Sequence, residues 1–394
     1  MKTNFKYILV ILVLLLQLST ARAIKIVHGP YLQNVSENEA TIVWEADCPS
    51  IGWVELVPDD GSNVYLKERP RFYDTHIGIK TTSRIHSVKL TGLKPGTTYR
   101  YRLLAKEVLL HKGIHVHYGD VAATTAYQKE LPRFTTLDTH KAETSFLVVN
   151  DIHERNEVLD KLLKMGDVKS KDIVFFNGDM LSLFDKEEKF FGGFMDTAVK
   201  DFATEKPLYY VRGNHETRGE MADQFHKYVC PREPHLYFTL QEGPVFFICL
   251  DTGEDKPDND WEYGGITDYD SYRTEQALWL QQVVNSKEYK AAKFHVVLGH
   301  IPPFDNSESI WHGAQEVKNK FVPILNKANV NLMICGHTHR FGYTDSLQGC
   351  NFPIVINSNN GVLTGEASGD SLNIKVQETD GKTSLEKTLT INNK

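Results

Sequence analysis

The feature that most constrains this chain is a succession of short apolar runs between residues 145 and 360, each closed by a polar cluster. Phe146-Leu147-Val148-Val149 leads into Asn150-Asp151-Ile152-His153, and Ile173-Val174-Phe175-Phe176 into Asn177-Gly178-Asp179. Leu208 to Val211 is followed, after Arg212, by Gly213-Asn214-His215-Glu216. Phe294 to Leu298 ends in Gly299-His300, and Val330 to Cys335 in Gly336-His337-Thr338-His339. Short runs with little alternation mark strands buried on both faces. Between and after them, Asn156 to Met165 has helical spacing, Phe190 to Ala203 is helix-like, and Val245 to Leu250 and Pro353 to Ile356 add strands. Strand-then-helix order predicts α/β layers, and in such sheets ligands collect at the carboxyl ends of the strands. Five strands therefore deliver Asp, Asn or His to one edge.

The residue types at that edge have a chemistry in common. Two carboxylates, one amide and four imidazoles form a mixed oxygen and nitrogen set suited to divalent zinc, manganese or iron. In Asp151-x-His153 and His337-x-His339, residues two apart on extended chain point the same way, about 6.6 Å apart along it. Pairs so placed can grip one ion or reach two, and two-metal hydrolases hold their ions about 3.5–4 Å apart. Asp179, behind Gly178, is the expected bridge. Two carboxylates against two divalent ions leave a net positive site, which favours a phosphate and lowers the pKa of a bound water.

The preceding residues read differently. From Ile24 to about Thr135, short β-branched and aromatic segments alternate with turns: Thr41 to Trp44, then Cys48-Pro49-Ser50, Trp53 to Val57, Ile85 to Leu90, and Tyr99 to Leu103. That texture predicts an antiparallel sandwich. Leu93-Lys94-Pro95-Gly96-Thr97-Thr98-Tyr99-x-Tyr101 resembles the fibronectin type III pattern, with a tyrosine closing a corner and Trp44 as the core tryptophan. His111, His115 and His117 have no acidic partner in register and read as solvated hairpin residues. Gly361 to Lys394 alternates as final strands would. The division expected is 1–23, 24–135 and 140–394.

The five clusters resemble the boxes of the calcineurin-like metallophosphoesterase superfamily: D-x-H, G-D, G-N-H-[DE], H and G-H-x-H. The sandwich and Val297-Leu298-Gly299-His300 resemble purple acid phosphatases more narrowly. Two positions depart from that subfamily. His153 replaces a glycine, and Ser182 stands where a tyrosine would bind ferric iron. Together they exchange a tyrosinate for an imidazole, removing the hard donor that favours Fe³⁺. The resemblance implies a metallophosphoesterase sandwich, two central β-sheets flanked by helices, with a fibronectin III-like module before it. It implies one ion on Asp151, His153, Asp179 and His339, another on Asp179, Asn214, His300 and His337, and attack on a phosphate ester by a metal-bridging hydroxide. Asn214 and His215 would contact substrate, with His215 as proton donor and Glu216 orienting His215 or a neighbouring ligand. Arg155 and Arg218, two residues beyond His153 and three beyond His215, are further candidates for the phosphate, with pairing to acids as the competing explanation. The polar loop Asp251 to Tyr263, with Tyr269, Tyr272 and His312, is a candidate for shaping specificity, and Asp251-Thr252 for capping.

Charge and cysteine usage narrow the classes. A formal net charge of -7 and a pI near 6.2 argue against a nucleic-acid surface. Lys2 and Lys6, the apolar run Tyr7 to Leu16 and Ala21-Arg22-Ala23 have the layout of a secretory signal cleaved after Ala23, too short for a membrane anchor. The expectation is a secreted or periplasmic protein. Of five cysteines, Cys249 and Cys335 read as buried hydrophobes, and Cys230 and Cys350 as a possible bridge. No nucleophile elbow, phosphate-binding loop or HExxH pair is present. The expected activity is phosphomonoester hydrolysis. The alternatives are a phosphodiesterase or nucleotide pyrophosphatase, and an exported binding protein with a decayed catalytic domain.

Overall fold

The computed structural model describes residues 23–391 except 64, 66–67, 126–129, 305–310 and 348. The basic start and apolar run of the expected signal lie outside the described residues. No helix among those described is long and apolar enough to cross a membrane.

The first layer is built on one bent strand. In sequence order its elements are β1 (Ile26–Gln33), β2 (Glu39–Pro58), β3 (Arg71–Tyr73), the ribbon β4 (Thr75–His76) and β5 (Ile79–Lys80), β6 (Thr82–Thr91), β7 (Thr98–Lys112), β8 (His115–Ala123) and β9 (Arg133–Thr135). The two strands expected on either side of Cys48-Pro49-Ser50 are a single element, β2. Its first half pairs with β1 and β6, and its second half with β3 and β7. The register shifts between Glu45 and Ser50. The proline therefore marks a bulge at which the strand changes partners, not a turn. Trp44 is fully buried, and Tyr99 closes the corner by accepting the Lys94 N–H at 3.0 Å. His111, His115 and His117 are exposed on the β7–β8 hairpin.

Two six-stranded sheets follow. The first contains β10 (Glu143–Val149), β11 (Ile173–Asn177), β12 (Leu208–Val211), β19 (Gly361–Ser368), β20 (Ser371–Glu378) and β21 (Thr383–Thr390), in the order 12-11-10-19-20-21. The second contains β13 (Phe238–Glu242), β14 (Val245–Leu250), β15 (Phe294–Gly299), β16 (Leu332–Cys335), β17 (Gly342–Thr344) and β18 (Ile354–Ile356), in the order 13-14-15-16-18-17. Strands β10, β11 and β12 are parallel, as are β14, β15, β16 and β18.

Alternation within each apolar run explains why neither face tolerates polar residues. Phe146, Val148 and Phe175 point between the sheets onto Phe247, Val296 and Ile334, with Phe146 edge-on to Phe247 at 5.2 Å. Leu147, Val149, Val174 and Phe176 point outward onto Leu159, Leu162 and Leu163 of the helix Asn156–Met165. Ile248, Val297 and Met333 face Leu280, Val317 and Phe321 on the far side. The helical run expected from Phe190 extends from Glu187 to Ala203 and contains two π-turns, Phe191–Met195 and Val199–Ala203.

The central core is continuous with the sandwich, because Trp44, Leu103 and Phe134 belong to the same buried cluster as Phe146 and Phe247. Buried tyrosines stitch the layers: Tyr31 Oη donates to Tyr228 O at 2.8 Å and Tyr101 Oη to Thr204 O at 2.7 Å. All five cysteines are free. Cys230 packs with the outer layer of the first sheet and Cys350 with that of the second, so the possible bridge between them is not formed.

Candidate metal centre

The carboxyl ends of β10, β11, β12, β15 and β16 converge, and the seven expected ligands meet there. They do so through left-handed backbone. Asp151 (φ 54), His153 (φ 48), Asp179 (φ 54), His337 (φ 71) and His339 (φ 60) all have positive φ. The extended geometry expected for Asp-x-His and His-x-His is therefore wrong. Strands β10, β11 and β16 end in tight left-handed turns that swing the side chains inward, a conformation costing roughly 1–3 kcal/mol per non-glycine residue and concentrated at functional sites, whereas Asn214 after β12 is right-handed (φ -74). Two glycines permit the closeness. A Cβ on Gly213 would lie 2.2 Å from Asp179 Oδ1, and one on Gly336 would lie 2.7 Å from Asp151 Oδ2.

Donor atoms of Asp151, His153, Asp179 and His339 lie within 4.8 Å of one another, as do those of Asp179, His300 and His337. Asp179 belongs to both groups. His339 Nε2 is 3.3 Å from Asp151 Oδ1, and His153 Nε2 is 3.2 Å from His339 Nε2. Asn214, 1% exposed, brings Oδ1 to 3.0 Å from His337 Nδ1.

His300 shows what the cluster requires. Its Nδ1 lies 2.8 Å from the Asn177 carbonyl, which can only accept, so the proton sits on Nδ1. Nε2 is left facing Asp179 Oδ2 at 3.0 Å and Asp151 Oδ1 at 3.8 Å. Both Nε2 and Asp151 Oδ1 are buried without a hydrogen-bond partner. Buried atoms left unpaired in this way cost about 1–3 kcal/mol each, and lone pairs converging from three sides call for a cation. Burial alone would lower the His300 imidazole, but Asp179 and Asp151 outweigh it and push it up to about 10. The donor set thus fits metal ions.

The surrounding residues hold the ligands still. Asn150 Nδ2 donates to Asp151 Oδ2 at 2.6 Å, and Asn357 Nδ2 donates to Asn150 Oδ1 at 2.8 Å. Glu216, fully buried, accepts the backbone N–H groups of Asp179 and Gly213 at 2.9 Å each, that of Leu181 at 3.1 Å, and Tyr210 Oη at 2.8 Å. It therefore orients the Asp179 and Asn214 turns. His215 is oriented by a different group: its Nδ1 donates to Ser182 O at 2.7 Å, and its Nε2 stands 3.9 Å from Asp179 Oδ2.

Residues 144–341 match the family model of the calcineurin-like phosphoesterases. The chain belongs to that family. Purple acid phosphatase 21 of Arabidopsis thaliana is 22% identical over 304 residues, covering 71% of this chain and 60% of that protein. Purple acid phosphatase 15 of the same plant is 22% identical over 321 residues, covering 75% of this chain and 53% of that protein. The chain thus spans little more than half the length of these relatives. A dimetal phosphatase from Danio rerio superposes with a TM-score of 0.44 and 12% identity, over 63% of this chain and 99% of that one.

In this member of the family both candidate arginines are held by neighbouring protein groups. Arg155 is turned back onto the backbone of its own loop. Its guanidinium donates to Ile152 O, Asp151 O, Asn359 O and Asn360 Oδ1 at 2.5–3.0 Å, stapling the Asp151 turn to the loop before β19. Arg218 is held by Glu254 through Nε at 2.8 Å and Nη2 at 2.7 Å, and Nη2 also meets Asp255 Oδ1 at 3.1 Å. Its Nη1 still lies 3.4 Å from His215 Nε2.

Trp311 is a neighbour that motif reasoning missed, while Glu254 and Asp255 fall in the polar loop singled out from Asp251 to Tyr263 without a role assigned to either. Asp255 Oδ2 is 3.9 Å from His337 Nε2, and the Trp311 ring meets His337 edge-on at 5.7 Å. Burial and the adjoining Glu254 push the Asp255 carboxyl up, while Arg218 outweighs burial and holds Glu254 down. The acidic run after β14 was the available signal, but no spacing rule points from it to His337.

Tyr272 Oη donates to Asp251 Oδ2 at 3.1 Å, and Asp251 pairs with Arg212 at 2.8 Å, with the Tyr269 ring beside that guanidinium. His312 lies 2.8 Å from Asp270 Oδ1, and this side group, with Glu316, is neutralised by Arg273 and Lys320.

Proposed function

We propose that this protein hydrolyses phosphate esters, phosphomonoesters in particular, with two divalent ions held in its five-loop cluster. The observation that carries the reading is the pair of donor groups sharing Asp179, with His300 Nε2 and Asp151 Oδ1 buried and unpartnered between them. Asp151, His153, Asp179 and His339 would hold one ion, and Asp179, Asn214, His300 and His337 the other. Ions there supply Lewis-acid charge to a phosphate and lower the pKa of a water at the site. Zinc, manganese and iron(II) suit the donors, and with Ser182 in place of a tyrosine the loaded protein should lack an intense visible tyrosinate band.

The chain's own contribution centres on His215. With Nδ1 committed to Ser182 O, a proton is exchanged at Nε2, on the rim beside Asp179. In this reading the imidazolium gives its Nε2 proton to the leaving oxygen, and Asn214 and His215 contact the phosphate. Arg218, steadied by Glu254, lies beside His215 Nε2 and adds positive charge there. A monoesterase is favoured over a diesterase by the likeness to the two plant purple acid phosphatases.

The test is His215→Ala in metal-loaded protein. Two bound ions should persist by elemental analysis, while hydrolysis of an alkyl phosphate falls by about 10²-fold or more and that of p-nitrophenyl phosphate falls much less. Equal losses on both substrates would remove the proton-donor role. Absence of bound metal and of turnover in the native protein would instead favour a binding module.

A further inference from the structure

The loops after β10 and β11 run side by side beyond the ends of their strands. Asp151 N donates to Gly178 O at 2.9 Å, His153 N to Asp179 O at 3.0 Å, and Glu154 N to Met180 O at 3.0 Å. Where this backbone ladder stops, the Glu154 side chain continues it. Its Oε1 accepts Ser182 N at 2.9 Å and its Oε2 accepts the Ser182 hydroxyl at 2.6 Å. The carbonyl of the same serine then receives His215 Nδ1 at 2.7 Å.

Three features make this arrangement more than a surface contact. Ser182 is exposed, so burial does not fix its carbonyl; Leu181 before it is anchored by Glu216, and Glu154 holds the N–H and hydroxyl of Ser182 itself. Glu154 is itself confined: φ is 56°, and a Cβ on Gly193 would come within 2.9 Å of its Cγ. Finally, a carbonyl oxygen has no proton to give, so the direction of Ser182 C=O dictates which imidazole nitrogen carries hydrogen. Without that acceptor the His215 ring is free to populate the other tautomer or to turn over.

We propose that Glu154 is a positioning residue for His215, acting through Ser182 to hold Nδ1–H on the carbonyl, so that the second proton of the imidazolium, the one given to the leaving oxygen, sits on Nε2 facing the metal cluster. The inference rests on the reading of His215 as proton donor. It also gives Ser182 a role. The serine standing where the related subfamily carries a tyrosine works here as a link between the first loop and the third. Residues that orient a reacting or ligating histidine typically cost 10- to 100-fold when removed.

The experiment compares Glu154→Ala, Glu154→Gln, Ser182→Ala and His215→Ala in the metal-loaded enzyme, with an alkyl phosphate and p-nitrophenyl phosphate as substrates. Glu154→Ala should lower kcat for the alkyl ester about tenfold more than for the aryl ester, with bound metal unchanged. Ser182→Ala, which keeps the backbone bond and the carbonyl, should show a smaller effect in the same direction, and Glu154→Gln should restore part of the loss. In ¹⁵N NMR of the His215 ring, the wild type should show the Nδ1–H tautomer and Glu154→Ala a mixture. The proposal is overturned if Glu154→Ala keeps both the wild-type tautomer and the wild-type ratio of alkyl to aryl turnover while His215→Ala lowers that ratio. If His215→Ala lowers both rates equally, the proton-donor reading falls, and the tautomer alone decides whether Glu154 positions the ring.

Discussion

The two ends of the central strands use charge in opposite ways. At the carboxyl ends, Asp151 Oδ1 and His300 Nε2 are buried and unpartnered, and five ligand residues sit in left-handed backbone. At the amino ends the acids, one half-buried and one buried, are satisfied. Asp172 Oδ2 accepts Ser145 N at 2.8 Å and its hydroxyl at 2.9 Å. Glu242 Oε2 accepts Asp138 N at 2.7 Å, and Lys141 lies against both acids. Positive φ values are absent from the residues making those contacts at the amino ends. The same sheets thus leave polar atoms unpartnered at one edge and give the acids hydrogen-bond partners at the other. Unsatisfied groups and strain persist where a ligand can repay them, and stability is gathered where nothing has to bind.

Substitutions can break this contrast. The largest effect is expected from Asp179→Asn. Turnover of p-nitrophenyl phosphate should fall by on the order of 10³-fold or more, and elemental analysis should show lost metal. The metal-free variant should nevertheless melt only modestly below the wild type, because the lost pairing of Asp179 with His300 is partly offset by removal of a buried charge. A large drop in Tm would show that this edge is held for stability after all.

Glu216→Ala sharpens the comparison from within the frustrated edge, since this carboxylate is fully satisfied there. Its loss strands three backbone N–H groups and should destabilise the fold by about 3 kcal/mol in denaturant titration, with metal binding weakened as the Asp179 and Asn214 turns loosen. A stability equal to wild type would mean that the turns hold without it.

At the opposite end the expected effect is smaller and appears as a pH dependence. Burial is the main cause that raises the Glu242 carboxyl to about 7, above its unfolded value. A group raised in this way contributes stability that is complete below the unfolded pKa and is lost as pH rises through about 7. Wild-type stability should therefore decline by about 2 kcal/mol between pH 4.5 and 7.5 from this group. Glu242→Gln should remove that part of the slope while leaving metal content and turnover unchanged. A slope unaltered by the substitution would assign the pH response elsewhere.

Much of this contrast is visible in the chain before it folds. Local patterns suffice for the strands, because burial on both faces leaves apolar runs such as Ile173 to Phe176, and for the ligand types, because each follows its strand directly. Those features determined the layered fold, the seven clustered donors and the place of His215 next to a ligand. The bend in β2 was misread because Pro49 at a bulge looks like Pro49 in a turn. Tertiary structure alone decided the left-handed turns, the use of Arg155 as a staple, the clamp of Arg218 by Glu254 and the linkage from Glu154 through Ser182 to His215. Those contacts join residues 205, 36, 28 and 33 positions apart. A side chain's partner across such a distance is set by how strands stack and where loops turn, which no local spacing encodes. Sequence by itself named the atoms that can hold metal, and the fold decided which of their neighbours hold them in place.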